Sequence, residues 1–156
     1  MMPSAVRKVL GFLAVVLCLS ACATPPEHRV DISLASKLIH NNQLATFSFG
    51  NEGPPAWDSI LVLKPYCNMD EVERFGIENP LAITRVVRNQ SYGDFDCTLL
   101  FLREKSCVGY SVVSRQIVDL AKLANHKNCN LALITRTNCV KKLHRDKTYG
   151  GVSMLD

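Results

Sequence analysis

The chain has 156 residues, of which 47% are hydrophobic and 21% charged, and Lys plus Arg outnumber Asp plus Glu by 18 to 14. This composition is typical of a globular protein, and it excludes long disorder, a collagen-like chain and a membrane protein with many spans. The length allows one domain. Seven cysteines are many for that length, but they are far sparser than in a disulfide-rich miniprotein.

The first 22 residues have the layout of an export signal. Arg7 and Lys8 precede an apolar run from Val9 to Leu19, which is too short for a membrane-spanning helix of about 20 residues. Small residues follow this run, and Cys22 stands directly after them. Small side chains leave the backbone accessible to a peptidase, and the cysteine supplies a thiol beside the cut.

The sequence Leu19-Ser20-Ala21-Cys22 resembles the lipobox of bacterial lipoproteins. The resemblance covers residues 1–22 only. It implies that the Cys22 thiol receives a diacylglyceryl group, that a peptidase removes residues 1–21, and that the new amino group is acylated. Two or three acyl chains hold a protein on a bilayer stably, whereas one chain holds it only marginally. In lipoproteins of Gram-negative cells, Asp at position 23 favours the inner membrane; Ala23 therefore favours the periplasmic face of the outer membrane.

An ordinary secretory signal is the alternative interpretation. Ala21-Cys22-Ala23 also fits a small-x-small cleavage site, and cleavage after Ala23 would release a soluble protein. The predicted organisation of the chain is a signal peptide over 1–21, a tether over 22–30, a globular domain over 31–146 and a flexible tail over 147–156.

The first part of the domain contains a helix pattern, two strand patterns and a helix cap. Asp31–His40 has apolar residues at helical spacing, whereas Leu44–Phe49 alternates and predicts a strand. Ser59–Leu63 is a continuous apolar run, which indicates a central strand covered on both faces. Asn68 to Glu71 resembles a capping box, and it predicts a short helix that ends at Gly76.

The middle of the domain predicts a strand and then a hairpin. Leu81–Arg88 alternates between two faces and is interpreted as a strand. Arg85 and Arg88 on that strand would either bind an anion or face solvent. The hairpin joins Thr98–Arg103 to Val108–Ser114 through a turn at residues 104–106, and it would set one row of side chains against another: Cys97, Leu99 and Phe101 against Val112, Tyr110 and Val108.

The last part of the domain predicts an amphipathic helix over Gln116–His126, capped by Ser114, and a strand over Leu131–Thr135. Strands and helices do not alternate strictly, and no segment repeats. The pattern therefore predicts an α+β domain, with helices packed on one face of a mostly antiparallel sheet.

Five cysteines remain in the mature chain beyond Cys22, and an oxidising compartment makes disulfides the default. The odd number leaves at least one thiol unbonded. Cys97 and Cys107 would lie on opposite faces of the hairpin, and the strand between Cys129 and Cys139 would separate them too far. Bonds are therefore expected between different elements, and Cys67 is a natural partner. The candidate disulfide residues are Cys67, Cys97, Cys107, Cys129 and Cys139.

Charge is distributed unevenly, because acidic residues dominate 22–104 and basic residues dominate 105–156. The basic stretch from 136 to 147 would suit anionic lipid, lipopolysaccharide or an acidic envelope protein, or else it is a solvated strand end and tail. Trp57, beside a Pro-rich loop, would be an exposed anchor for a partner or a lid over one end of the core. Nucleic acid is not expected as a partner. The candidate partner-binding residues are Trp57, Arg136, Lys141, Lys142 and Arg145.

No motif for catalysis is found in the sequence, which lacks serine-hydrolase, zinc-peptidase, P-loop and dinucleotide-binding patterns. Asp94 and Asp96 are explained by turn chemistry, and no metal or cofactor is predicted. The sequence therefore predicts a lipid-anchored protein of the bacterial cell envelope with a binding or structural role. The alternatives are an envelope enzyme whose site is assembled from distant residues and a soluble secreted protein.

Overall fold

The structure is a computed structural model, and it describes residues 29–30, 32, 36–37, 43–145 and 151–156. The predicted signal peptide, Cys22 and most of the tether lie outside these residues. Of the predicted helix Asp31–His40, Ser36 and Lys37 are helical, whereas most of its other residues also lie outside them. The remaining elements are, in chain order, β1 Thr46–Ser48, β2 Ser59–Leu63, α1 Met69–Phe75, α2 Pro80–Ser91, β3 Asp96–Arg103, β4 Ser106–Ser114, a 3₁₀ turn Leu120–Lys122, β5 Leu131–Thr135, a 3₁₀ turn Arg136–Asn138, β6 Val140–Arg145 and β7 Val152–Leu155.

The main sheet is antiparallel, with the strand order β4-β3-β2-β5. In β2, Leu61 pairs with Leu100 of β3 on one side and with Leu133 of β5 on the other. The side chains from Ile60 to Leu63 are 0% exposed. The prediction of a central strand covered on both faces is confirmed.

Two layers cover the two faces of this sheet, because alternate residues of each strand point to opposite sides. One face packs on a second antiparallel sheet with the order β1-β6-β7. We call the core between the two sheets the inter-sheet core; it includes Phe47, Phe101 and Met154. The other face packs on α1 and α2 in what we call the helix-side core, which includes Leu63, Leu100 and Val87. The domain is therefore α+β, with the two helices on one face of the main sheet, as predicted.

The second sheet corrects the last part of the predicted flexible tail over 147–156, whose residues 147–150 lie outside the described residues. Residues 152–155 form β7, and Val152 and Met154 are buried in the inter-sheet core. These two apolar residues, two positions apart, bury one face of a short edge strand. The β6 strand was not predicted either, because its residues VKKLHR do not alternate between polar and apolar side chains, and the pattern indicates only a basic stretch.

The short helix α1 forms as predicted. Asn68 accepts a hydrogen bond from Glu71 N at 3.1 Å, and Glu71 accepts one from Asn68 N at 3.1 Å, which completes the capping box. Gly76 ends the helix in the left-handed conformation, with φ of 83°.

The prediction of a strand over Leu81–Arg88 is wrong, because these residues belong to α2. Pro80 occupies the first turn, where its missing N–H costs no hydrogen bond. The buried residues Ile83, Val86, Val87 and Gln90 follow a spacing of three, one and three residues, which is helical rather than alternating. A run of β-branched residues favoured the strand interpretation, but packing against the main sheet outweighs this weak local preference.

The prediction of a helix over Gln116–His126 is also wrong. The segment contains only the 3₁₀ turn, capped by Asp119, whose carboxylate accepts a hydrogen bond from Ala121 N at 3.1 Å. Residue 119 instead pairs with β7, since Asp119 N donates to Val152 O at 2.7 Å and Met154 N donates to Asp119 O at 3.2 Å. These tertiary hydrogen bonds replace the local ones that a helix would need.

The hairpin is confirmed, but its register is shifted over most of its length. Leu102 pairs with Cys107, which agrees with the predicted register near the turn. A β-bulge beside Phe101 then places Cys97 opposite Val113 rather than Val112. A bulge inserts one unpaired residue, so every pair beyond it moves by one position. Val113 consequently faces the inter-sheet core, and Val112 is 38% exposed.

We predict that Ile83 and Leu81 differ sharply in their effect on stability. Ile83 is 1% exposed and Leu81 is 84% exposed, so Ile83→Ala should lower the free energy of unfolding by about 2–5 kcal/mol. The matched change Leu81→Ala should alter it by less than about 0.5 kcal/mol. Denaturant unfolding measures both. Equal losses would contradict the helix, since a strand would place residues 81 and 83 on the same face.

Candidate functional site

Trp57 is a buried structural residue. Its side chain is 2% exposed, and Nε1 donates a hydrogen bond to Glu52 O at 2.7 Å. The Arg136 guanidinium stacks on the indole ring at 3.8 Å from its centroid, and Arg136 Nε donates to Trp57 O at 2.8 Å. Trp57 therefore closes one end of the inter-sheet core as a lid, and it offers no exposed anchor to a partner.

The basic stretch is not one continuous surface. Residues along β6 alternate between two faces, so Lys141 is buried at 3% exposure and its Nζ lies 2.7 Å from the Asp156 carboxylate. Lys142 is exposed, whereas Arg145 is half-buried at the end of the strand. Of the basic residues proposed to bind a partner, Lys142 and the exposed Arg136 reach the surface, and Arg136 already covers Trp57.

Each of the five described cysteines is a thiol in the structure. Burial raises the pKa of the Cys97 thiol to about 12, and the nearby Asp119 carboxylate raises it further in the same direction. Burial likewise raises the pKa of the Cys67 thiol far above its ordinary value, with help from Glu71. Because the thiolate is the nucleophile, neither of these two side chains is set up for thiol catalysis.

A cleft of about 410 Å³ lies between α2 and the outer part of the hairpin. Helix α2 contributes Arg85 and Asn89, one turn apart, and β4 contributes Tyr110. Arg29 approaches from the other side, and its backbone is held there because Val30 N donates a hydrogen bond to Tyr110 O at 2.7 Å. Two arginines from distant parts of the sequence therefore line one depression.

The floor of the cleft is held rigid by a buried amide. Gln90 is 4% exposed; its Nε2 donates to Asp96 O at 2.9 Å, and its Oε1 accepts from Thr98 Oγ1 at 2.8 Å. Both polar atoms of the Gln90 side-chain amide are thus hydrogen-bonded to β3, and they link α2 to that strand. This buried network fixes the distance between the helix and the sheet.

The electrostatics of the cleft favour an anion. Within the described part of the chain, no ion pair joins Arg29 or Arg85 to a carboxylate. Asp96 is the acidic residue among the lining residues, so the two guanidinium groups leave the cleft with a net positive charge. Planar guanidinium groups bind carboxylate or phosphate through paired hydrogen bonds.

Sequence reasoning missed this cleft for two reasons. Arg85 was considered as an anion ligand, but on a strand, where Asn89 would not lie beside it. Arg29 was assigned to the tether, which gives no sign that its backbone pairs with β4. A helical interpretation of residues 80–91 would have placed Arg85, Asn89 and the buried pair Val86 and Gln90 on one side of α2.

Asp94 does not join the cleft. The Asp94 carboxylate forms an ion pair with Arg115. The same guanidinium binds Asp119, with Nε 2.8 Å from the Asp119 carboxylate. Burial by itself would raise the pKa of Asp119, but the hydrogen bond and charge of Arg115, with the Ala121 N–H, lower it below its ordinary value. Among the described residues, no group of three or more His, Cys, Asp or Glu side chains is placed to hold a metal ion.

Comparisons with protein-family models, with curated proteins and with solved structures find no match to this chain. Among the helices in the described residues, none is both long enough and apolar enough to cross a membrane.

We predict that the Arg115–Asp119 pair makes stability depend on acid pH. Because the pKa of Asp119 is lower in the folded protein than the ordinary value of 3.8, its contribution is present above that pH and is lost as pH falls through the folded-state pKa. Asp119→Asn should therefore destabilise the protein near neutral pH, and the difference from wild type should shrink in acid.

Denaturant unfolding at a series of pH values measures this effect. Glu73→Gln, a change at an exposed position of α1, is the matched control and should keep the wild-type profile. A constant difference between Asp119→Asn and wild type at every pH would contradict the prediction.

Proposed function

We propose that this protein is a lipid-anchored component of the bacterial cell envelope that binds a small polar anion in the cleft between α2 and the hairpin. Two arguments support the proposal. The signal segment with Leu19-Ser20-Ala21-Cys22 provides the anchor, and the cleft provides a cationic binding site. The observation that carries the binding role is that Arg29 and Arg85 line one depression and that, among the described residues, neither forms an ion pair with a carboxylate.

The length of the tether constrains where this cleft can be. Arg29 follows Cys22 by seven residues, and seven extended residues reach at most about 25 Å. If Cys22 carries acyl chains, the edge of the domain formed by Arg29 and β4 stays within that distance of the bilayer. The tether is short enough for the cleft to come within a Debye length of about 8 Å from the bilayer surface, where anionic headgroups attract cationic side chains.

The lining of the cleft narrows the ligand class. Two guanidinium groups supply charge-assisted hydrogen bonds to a phosphate or carboxylate, while Asn89, Tyr110 and Asp96 supply neutral and acidic partners for hydroxyl or amine groups. Val86 and Val112 give a small apolar wall. The arrangement suits a compact anion that also carries hydroxyl groups, such as a phosphorylated or acidic sugar.

The enzyme alternative has less support. One candidate nucleophile for a site assembled from distant residues is an unbonded thiol, but burial raises the pKa of the Cys67 and Cys97 thiols and so disfavours their reactive thiolate forms. The cleft itself contains no Ser, Cys or His among its lining residues, and its acidic residue Asp96 has no second carboxylate beside it in that lining. A binding role therefore fits the chemistry better than an acid–base or nucleophilic one.

We predict that Cys22→Ala moves the protein from the membrane fraction to the soluble fraction or leaves the precursor uncleaved. The thiol is the acceptor of the acyl chains that supply the membrane affinity. Cys18→Ala is the matched control, because Cys18 lies in the apolar run that is removed, and it should leave the protein in the membrane fraction. A Cys22→Ala protein that is processed and still membrane-bound would contradict the anchor.

We predict that Arg85→Ala weakens binding of inorganic phosphate at the cleft by about tenfold, which corresponds to about 1.4 kcal/mol. Nuclear magnetic resonance titration, followed on the amides of α2 and β4, measures it. Arg88→Ala is the matched control, because Arg88 is exposed on the same helix but lines a separate depression.

Equal losses in the two variants would show that phosphate responds to the general charge of the helix and not to the cleft. No saturable shift in the wild-type protein would contradict the anion site.

A further inference from the structure

Two cysteines lie at the same corner of the main sheet. The pairing of β2 with β5 ends at the pair Leu63 and Leu131. Beyond it, Lys64 N donates a hydrogen bond to Asn130 O at 3.0 Å. Cys129 immediately precedes Asn130. Cys67 is brought back to the same place by a turn, in which its N–H donates to Lys64 O at 3.1 Å.

The turns that carry these cysteines have an uncommon backbone. Tyr66, Lys127 and Asn128 have φ of 65°, 48° and 60°, which is the left-handed region that residues other than glycine seldom adopt. Each cysteine therefore follows directly after a left-handed residue. The two turns lie at adjacent ends of the neighbouring strands β2 and β5.

A carboxylate lies between the two turns and links them. Glu71 Oε1 accepts a hydrogen bond from Asn130 N at 2.9 Å, while Oε2 completes the cap of α1 on Asn68 N at 3.1 Å. The Cys67 sulfur donates to Asn68 O at 3.7 Å. Burial raises the pKa of Cys67, and the charges of Glu71 and Cys129 raise it further. One side chain thus contacts the residues next to both sulfurs.

Both sulfurs also belong to the same layer of the domain. Cys67 is buried in the helix-side core, and Cys129 is half-buried and packs against it. Cys97 and Cys139 pack in the inter-sheet core, on the opposite face of the main sheet. A disulfide from Cys67 to either of them would have to pass through the sheet.

Cys107 is in the helix-side core too, but at the other end of the sheet. It pairs with Leu102, and Leu102 pairs with Ser59 at the start of β2, whereas Cys67 follows the end of β2. The four steps from Ser59 to Leu63 span about 13 Å, which is beyond the roughly 7 Å that a disulfide allows between Cα atoms. Among the five described cysteines, Cys129 alone lies both in the helix-side core and at the same end of the main sheet as Cys67.

We propose that Cys67 and Cys129 form a disulfide bond in the oxidised protein, which ties the turn after β2 to the turn before β5. The oxidant is an external disulfide, either that of a thiol oxidoreductase or glutathione disulfide. The partly exposed Cys129 sulfur attacks it and forms a mixed disulfide, and one reduced sulfur leaves. Cys67 then loses its proton to solvent, attacks the Cys129 sulfur and releases the second reduced sulfur. Because the Cys67 thiol is buried, this second attack is the slow step, and the bond is expected at equilibrium. Two thiols of this chain lose two electrons and two protons, which reduce the external disulfide to two thiols.

The test is a peptide map of the purified full chain after equilibration with glutathione disulfide. Thiols are alkylated in denaturant without reduction, and the protein is digested and examined by mass spectrometry. The expected result is a linked pair of peptides containing Cys67 and Cys129, with the alkylating group on Cys97, Cys107 and Cys139. Because the oxidant is supplied, the result does not depend on export or on the lipid anchor.

Alkylated Cys67 in the equilibrated protein, or a link from Cys67 to any other cysteine, would overturn the proposal. Variants give a second test. Cys67→Ser and Cys129→Ser should each lower the denaturant midpoint of the oxidised protein, and the double variant should lower it no further than the worse single one. Cys107→Ser is the matched control and should keep the sensitivity of the midpoint to reductant. Additive losses, or a midpoint that reductant leaves unchanged in wild type, would contradict the bond.

Discussion

The structure depends on burying both faces of one antiparallel sheet. Strands β2 and β3 are the inner strands, and their side chains from Ile60 to Leu63 and from Leu99 to Leu102 are 0% exposed. Each fully buried aliphatic or aromatic side chain contributes about 1.5–3 kcal/mol to the folded state. No single layer placed against this sheet would protect it from water, so the chain has to supply one layer for each face. The helices α1 and α2 cover one face, and the small sheet with β7 covers the other.

This constraint also explains where polar groups collect. Inside the layers, buried polar side chains link elements: Gln90 joins α2 to β3, and Lys141 joins β6 to Asp156. Lys64 is 4% exposed and donates to Leu123 O and Asn125; burial lowers its pKa. The cleft lies between α2 and the hairpin. Among the described residues, Arg29 and Arg85 form no ion pair with a carboxylate, whereas Arg115 pairs with Asp94 and Asp119. This difference is why we propose the cleft, and not the ion pairs of Arg115, as a binding surface.

The sequence was most informative where local chemistry and packing agree. Asn68, Glu71 and Gly76 specify both ends of α1 by hydrogen bonds within the segment, and the apolar run of β2 admits few other interpretations. It misled where long-range contacts outweigh local preference. The β-branched residues of α2 suggested a strand, and the apolar spacing after Ser114 suggested a helix that gives way to pairing between Asp119 and β7. The cleft could not be predicted, because it needs Arg29 beside Tyr110, a contact that no local pattern encodes.

In the proposed role, a rigid layered domain is attached to the membrane by a short tether. The localisation of the protein and the position of its cleft therefore depend on lipidation of Cys22. Mass spectrometry of the N-terminal peptide of the mature protein, isolated from bacterial cells that produce the full chain, tests that event most directly. We expect a peptide that starts at Cys22 and carries a diacylglyceryl group, with an acyl chain on its amino group. A peptide that starts at Thr24, or one in which the thiol at position 22 is unmodified, would contradict it.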